Sequence, residues 1–137
     1  MRYLGLDLGT RSLGVALSDK LGLVASFYEN IRYENEDELI KKISNIINEN
    51  NVEKVVLGLP KNMNNTLEDR ATDTLRFKEK LENEVQKEVI LEDERLTTKV
   101  AEGILIDADL SRKKRKKYVD GLSAVVILQS YLDKRRN

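Results

Sequence analysis

Hydrophobic residues in the first third of the chain follow the spacing of strands rather than of helices. Three such stretches, at about Arg2 to Leu8, Leu13 to Ser18 and Leu23 to Tyr33, are separated by short polar or glycine-rich turns. Because a strand directs successive side chains to opposite faces, these stretches predict three strands. Connections this short predict an antiparallel meander.

The apolar spacing then changes to that of an amphipathic helix ending near Asn50–Asn51. Its apolar positions are Leu39, Ile40, Ile43, Ile46 and Ile47. Two continuous apolar runs follow, Val55–Leu57 and Val89–Leu91, and such runs are typical of strands buried on both faces. A helix is predicted between them and two more after them, one of which runs from about Asp120 to Leu132. The first two have the apolar positions Leu67, Ala71, Leu75 and Leu81, and Val100, Ile104 and Leu105.

The order of elements, β-β-β-α-β-α-β-α-α, predicts an α/β fold in which an antiparallel unit leads into right-handed parallel crossovers. The most economical arrangement is a five-stranded mixed sheet with strand one in the centre beside strand four, in the order 3-2-1-4-5. Helices then flank the sheet and give a three-layer architecture. The chain of 137 residues, 40% hydrophobic and 35% charged, fits one domain over residues 1–137.

Composition narrows the chemistry. The chain contains neither cysteine nor histidine, which excludes thiolate metal sites, cysteine nucleophiles, Ser-His-Asp triads and histidine general bases. Any catalysis must therefore depend on carboxylates, lysines or a hard metal ion. The sequence contains no apolar stretch that could span a bilayer and begins directly with a predicted strand, so we expect a cytoplasmic protein with no membrane partner.

Charge is balanced overall but uneven along the chain. Lysine plus arginine and aspartate plus glutamate number 24 each, so net charge gives no argument for nucleic-acid binding. Six consecutive basic residues nevertheless precede Asp120, and they are either a solvated loop or a strip that contacts phosphates. They are Arg112, Lys113, Lys114, Arg115, Lys116 and Lys117.

Asp7 is the most unusual single position, because it is an ionisable residue inside the apolar run that forms the first strand. It shares a strand face with Gly5 and Gly9, which predicts a face that is bare of large side chains and could bind a ligand. A buried carboxylate needs a cation, a metal or hydrogen bonds, so the alternative is a carboxylate that caps the following turn. Ligands of open α/β sheets bind beyond the carboxyl ends of parallel strands, close to Asp7, Gly58 and Asp93–Glu94.

Four segments in this order resemble the signatures of the YqgF/RuvX family. They are Leu6–Ala16, Gly58–Met63, Asp93–Thr98 and Val119–Ala124, and the likeness continues through Ile127–Leu132. The resemblance implies a ribonuclease-H-like fold and a nuclease. The expected activity is 5′-end maturation of pre-16S rRNA in ribosome biogenesis, and the alternative is resolution of Holliday junctions in DNA.

The resemblance also implies a site in which Asp7, Glu94 and Asp120 hold a divalent metal, Mg²⁺ or Mn²⁺, beside a nucleic-acid substrate. Phosphodiester hydrolysis agrees with oxygen-ligated metal chemistry. Arg11 and Arg95 would contact phosphate or scaffold, together with the basic run. From local sequence alone, Glu94 could pair with Arg95, and Asp120 could cap the last helix.

Gly58 has two interpretations. It could leave room for side chains from strands one and five to reach a shared ion across strand four, or it could be a turn glycine with positive φ.

Two rival functions remain at this stage. Asp7–Thr10 also resembles the first phosphate loop of actin-like ATPases, and a non-catalytic nucleic-acid-binding module could keep the same fold. The sequence leaves the oligomeric state open between monomer and homodimer.

Overall fold

The computed structural model describes residues 1–59, 68–93 and 112–136. The strands are β1 (Arg2–Leu8), β2 (Ser12–Ser18), β3 (Ala25–Arg32), β4 (Val52–Leu59) and β5 (Val89–Asp93). The helices of the described residues are α1 (Glu36–Asn50), α2 (Glu68–Val85) and α3 (Arg112–Arg136). The predicted helix through Val100, Ile104 and Leu105 lies outside the described residues.

The five strands form one mixed sheet in the order β3-β2-β1-β4-β5, which confirms the predicted topology. β1 pairs antiparallel with β2 and parallel with β4, and β4 pairs parallel with β5. The first strand therefore lies in the centre of the sheet. Its carboxyl end meets the carboxyl ends of the two parallel strands at one edge.

One face of the sheet packs against α1 and α2. All five predicted apolar residues of α1 are buried there, beside Leu4 and Leu6 of β1. The Asn35 side chain caps the start of α1 by accepting hydrogen bonds from the backbone N–H groups of Asp37 and Glu38. The helix ends just before Asn51, close to the predicted position, and Asn51 has the left-handed conformation, at φ 53°.

α2 presents a different stripe to the core from the predicted one. Its buried residues include Thr74, Phe77 and Leu81, whereas Leu75 is 47% exposed. Spacings of three and four residues keep the first three on one face of the helix, and Leu75 lies about 100° round from Thr74. The prediction that Leu75 faces the core was wrong because the aromatic Phe77 fixes the orientation of the helix.

The opposite face of the sheet is covered by α3, so the prediction that this face is bare was wrong. A Cβ placed on Gly5 would lie 2.7 Å from the Leu128 Cβ and 3.1 Å from the Ala124 carbonyl oxygen. The glycine therefore accommodates a helix rather than a ligand. Tyr3 and Ala16 are buried in the same cluster.

Two boundaries and the burial of one strand differ from the sequence prediction. α3 begins at Arg112, well before Asp120. β3 begins at Ala25 rather than Leu23, because the N–H groups of Leu23 and Val24 donate to the Asp19 carboxylate in a turn, at 2.7 and 3.0 Å. In β4 the run Val55–Leu57 is fully buried as predicted, but Ile90 and Leu91 of β5 are only half-buried. Within the described residues, every helix is too short or too polar to cross a bilayer.

Candidate active site

The candidate site lies where the carboxyl ends of β1, β4 and β5 meet. Asp7 is the penultimate residue of β1 and is half-buried. Strand alternation places it on the same face as Tyr3 and Gly5, which is the face covered by α3. The carboxylate thus lies on the face covered by α3, at the carboxyl ends of the parallel strands, where ligands of open α/β sheets bind.

The turn after Asp7 is fixed by Tyr33, a residue that the sequence analysis did not single out. The Gly9 N–H donates to the Ser12 carbonyl at 2.8 Å, which closes the turn. The Tyr33 hydroxyl donates to the Gly9 carbonyl at 2.7 Å, and the Tyr33 N–H donates to the Arg11 carbonyl at 3.0 Å. Tyr33 therefore holds both ends of the loop between β1 and β2.

Burial raises the pKa of the Tyr33 phenol, and the negative charge of Glu36 raises it further. The hydroxyl consequently stays protonated and remains a donor to Gly9 throughout the neutral range. The signal for this role in the sequence is weak, because the two residues are 24 positions apart.

Strand register places Glu92 level with Asp7. Leu6 lies opposite Leu57, and Leu57 lies opposite Leu91. The next row therefore contains Asp7, Gly58 and Glu92, of which Gly58 and Glu92 are paired directly. Glu94 follows Asp93, the last residue of β5, and lies outside the described residues. The expectation that Asp7 and Glu94 reach a shared ion across Gly58 therefore stays a prediction.

Gly58 lies inside β4 and is buried. Among the described glycines only Gly22 has positive φ, so the interpretation of Gly58 as a positive-φ turn residue was wrong. The hypothesis that Gly58 leaves room for neighbouring carboxylates stays a prediction.

Glu92 is a buried carboxylate, 6% exposed, and it accepts a hydrogen bond from the Lys134 ammonium of α3. That hydrogen bond and the charge of Glu92 raise the pKa of Lys134. Because the partners lie on β5 and α3, this ion pair ties the helix to the strand that leads to Glu94. A buried carboxylate beside the candidate site thus has a structural partner.

Asp120 lies inside α3, eight residues after the helix begins at Arg112, so the helix-cap interpretation was wrong. The helix runs antiparallel to β1: Arg135 lies 5.0 Å from the Tyr3 ring, and Leu128 and Ala124 cover Gly5. Residue 120 is one turn before Ala124, so the helix backbone reaches the level of Asp7 near this position. The side chain of Asp120 is outside the described part of the structure.

The basic run forms the first turns of α3, so the interpretation of Arg112–Lys117 as a loop was wrong. Its side chains lie outside the described part, as does Arg95. Arg11 is exposed on the turn held by Tyr33. No group of three acidic residues that could hold a metal occurs among the described residues, which include Asp7 but not Glu94.

Two solved structures with similar folds contain Holliday junction substrates. The RuvC protein of T. thermophilus, solved with a Holliday junction substrate, has a TM-score of 0.64 at 17% identity, and the match covers 100% of this chain and 97% of that chain. The Fowlpox virus resolvase, in complex with Holliday junction DNA, has a TM-score of 0.62 at 12% identity, with 100% of both chains covered. The class defined by this sheet order and these neighbours is the ribonuclease-H-like fold, as predicted.

Sequence comparison gives the family. The model of the RuvX family, described as Holliday junction resolvase, matches residues 1–134, and the chain belongs to this family. A relative from Geobacillus kaustophilus is 54% identical over 138 residues, covering 99% of this chain and all of the relative. One from Clostridium tetani is 50% identical over 133 residues, covering 97% and 96%. Both carry the name "Putative pre-16S rRNA nuclease". The YqgF/RuvX resemblance is confirmed.

Proposed function

We propose that this chain is a metal-dependent nuclease that matures the 5′ end of 16S ribosomal RNA from its precursor. Membership of the RuvX family makes it a hydrolase of phosphodiester bonds. The observation that carries the choice of substrate is the full-length similarity, at about half of all positions, to relatives named for pre-16S rRNA. The proposed site is formed by Asp7, Glu94 and Asp120.

The available donors fit a hard divalent ion. The chain contains neither histidine nor cysteine, so its metal ligands must be oxygens, and carboxylate oxygens suit Mg²⁺ or Mn²⁺. The close packing of α3 on Gly5 supports the inclusion of Asp120, because it brings the preceding helical turn towards Asp7. When bound, such an ion supplies a water of lowered pKa and a positive charge for the leaving oxygen.

The protein's own contribution is to position the carboxylates and attract phosphates. The hydrogen bonds from Tyr33 to Gly9 and Arg11 restrain the turn that follows Asp7. The ion pair between Glu92 and Lys134 restrains the strand that precedes Glu94. Arg11, Arg95 and the basic run Arg112–Lys117 lie near these acids in the sequence or the fold and would attract the substrate backbone.

The decisive experiment compares labelled precursor 16S rRNA with a four-way DNA junction, each incubated with the protein in Mg²⁺ or Mn²⁺. Asp7→Asn should reduce cleavage by roughly 10²-fold or more, because a divalent ion at the site would lose one of its anionic ligands. Asp37→Asn is the matched control, since Asp37 is an exposed acid of α1 paired with Lys80. Glu94→Gln should abolish cleavage and leave binding intact.

Holliday junction resolution is the second candidate, favoured by the family description and by the fold shared with two junction-binding resolvases. Cleavage of the junction but not of the RNA, lost in Asp7→Asn, would replace the proposed substrate. Cleavage of neither substrate by the unsubstituted protein would reject a nuclease and favour a non-catalytic binding module. Tight ATP binding in that case would favour the actin-like alternative.

A further inference from the structure

An open cleft of about 640 Å³ adjoins the turn after Asp7. Three cationic side chains line it, and each comes from a different element: Arg11 from the turn after β1, Arg32 from the end of β3 and Lys42 from α1. Tyr33 and the buried Leu39 also line it. The three cations therefore converge on one depression although they are far apart in the sequence.

None of these three cations takes part in an ion pair with another described residue. Two carboxylates, Glu34 and Glu38, line the same cleft and still do not pair with them. The hydrogen-bonding capacity of the three cations remains free for a ligand.

We propose that this cleft binds the phosphodiester backbone of a substrate strand as it leaves the cleavage site; this inference rests on the proposed nuclease function. A second cavity of about 310 Å³ shares Thr10, Tyr33 and Glu34 with the cleft and extends to Leu8 at the end of β1. The two depressions are thus adjacent. A strand that passes Asp7, which faces α3, would cross the carboxyl end of β1 and enter the cleft on the α1 side.

The chemistry of the cleft suits a polymer backbone better than a small molecule. Small-molecule sites are enclosed and mostly apolar, whereas Arg32 and Lys42 are exposed and the cleft is open. Guanidinium and ammonium groups match phosphate oxygens, and binding them releases counterions from the nucleic acid. Tyr33 contributes by holding the backbone of Arg11, which fixes one of the three cations against the turn.

The test uses neighbouring lysines of α1 as a matched pair. Lys42 lines the cleft, whereas Lys41 is also exposed, has no ion pair among the described residues and lines a different depression, which shares only Glu38 with the cleft. Lys42→Gln, Arg32→Gln and Lys41→Gln would be made in an Asp7→Asn background, which binds without cutting. Affinity would be measured by fluorescence anisotropy on single-stranded RNA and DNA of two sequences, from about 50 to 200 mM salt.

Lys42→Gln and Arg32→Gln should each weaken binding roughly threefold to tenfold. Each should also reduce the slope of log affinity against log salt concentration by about 0.7, as expected for one lost phosphate contact on a single strand. The loss should be equal for both sequences, because a backbone contact carries no base information. Glu38→Gln should have the opposite sign and strengthen binding, because it removes a negative charge from the cleft. Lys41→Gln should change little.

If Lys42→Gln and Arg32→Gln bind as Lys41→Gln does, while the parent protein binds and cuts nucleic acid, the cleft proposal is wrong and the nuclease proposal stands. If the protein without substitutions neither binds nor cuts nucleic acid, both proposals fail. Circular dichroism would confirm that the variants are folded. Should Arg32→Gln unfold, Lys42→Gln alone decides, because it changes an exposed helix position.

Discussion

The two faces of β1 carry side chains of different size and pack against different helices. Leu4 and Leu6 point towards α1 and α2, where large aliphatic side chains fill the space between sheet and helices. Tyr3, Gly5 and Asp7 point towards α3, where glycine and alanine let the helix backbone approach the strand. The first face buries large apolar side chains, and the second lets the backbones of β1 and α3 lie close together.

This difference separates the stability of the fold from the geometry of the candidate site. The α3 face also relies on polar contacts: Gln129 accepts a hydrogen bond from the Ala25 N–H at 2.9 Å and donates to the Leu23 carbonyl at 3.0 Å. The ion pair of Glu92 and Lys134 adds a further link on the same helix. Substitutions on the two faces should therefore have different consequences for unfolding and for catalysis.

The largest effect on stability is expected from Leu4→Ala on the aliphatic face. Leu4 is fully buried, so the truncation should lower the free energy of unfolding by about 3 kcal/mol, through lost transfer energy and the cavity left behind. Cleavage per folded molecule should remain unchanged, because α3 and Asp7 are not displaced. Urea denaturation and cleavage assays measure the two quantities. A specific loss of cleavage would contradict the separation of the faces.

Gly5→Ala should cost less stability but more activity. The added Cβ would meet the Leu128 Cβ and the Ala124 backbone, so α3 must shift, at a cost of about 2 kcal/mol. Because the same helix contains Asp120, cleavage should fall by more than the unfolded fraction explains. Leu4→Ala is the control for destabilisation alone. Full cleavage by folded Gly5→Ala protein would show that helix approach does not set the site.

The smallest effect is expected for the pH dependence of stability at Asp19, in the turn between β2 and β3. Gln129 of α3 forms hydrogen bonds with Leu23 and Ala25 at the end of this turn. Hydrogen bonds from the N–H groups of Val24 and Leu23 lower the pKa of Asp19 below its ordinary value of 3.8. Stability from this carboxylate is present above pH 3.8 and is lost as pH falls through the lower folded-state pKa.

Thermal melting should therefore give a lower melting temperature for Asp19→Asn than for the parent at neutral pH, and the gap should close in acid. The matched comparison is Leu4→Ala, whose deficit should not depend on pH in this way. A gap for Asp19→Asn that persists at pH values below the lowered folded-state pKa would mean that the carboxylate charge is not responsible.

The part of the fold that could be predicted is the part with periodic apolar residues. α1 was predicted with its buried positions and its end, because five aliphatic residues recur at helical spacing before Asn51. The start of α3 could not be predicted, because Arg112–Lys117 contains no apolar residue that would show a helical period. Basic residues also oppose the dipole at a helix start, although lysine and arginine are good helix formers.

The candidate site divides in the same way. Asp7 could be recognised from the sequence alone because a carboxylate within an apolar strand is unusual. Tyr33 and Glu92 could not, because their partners Gly9 and Lys134 are 24 and 42 positions away. Glu92 is level with Asp7 only through strand register, and register depends on pairing across β4.

The central place of β1 has a consequence for biosynthesis. The strand that carries Asp7 is translated before its neighbour β4 and its cover α3. A nascent chain still lacking α3 leaves Gly5 uncovered and Asp120 absent, so the proposed carboxylate site cannot form at that stage. Competence for hydrolysis at the proposed site therefore requires α3, and a translation product without α3 should be inert towards RNA in its vicinity.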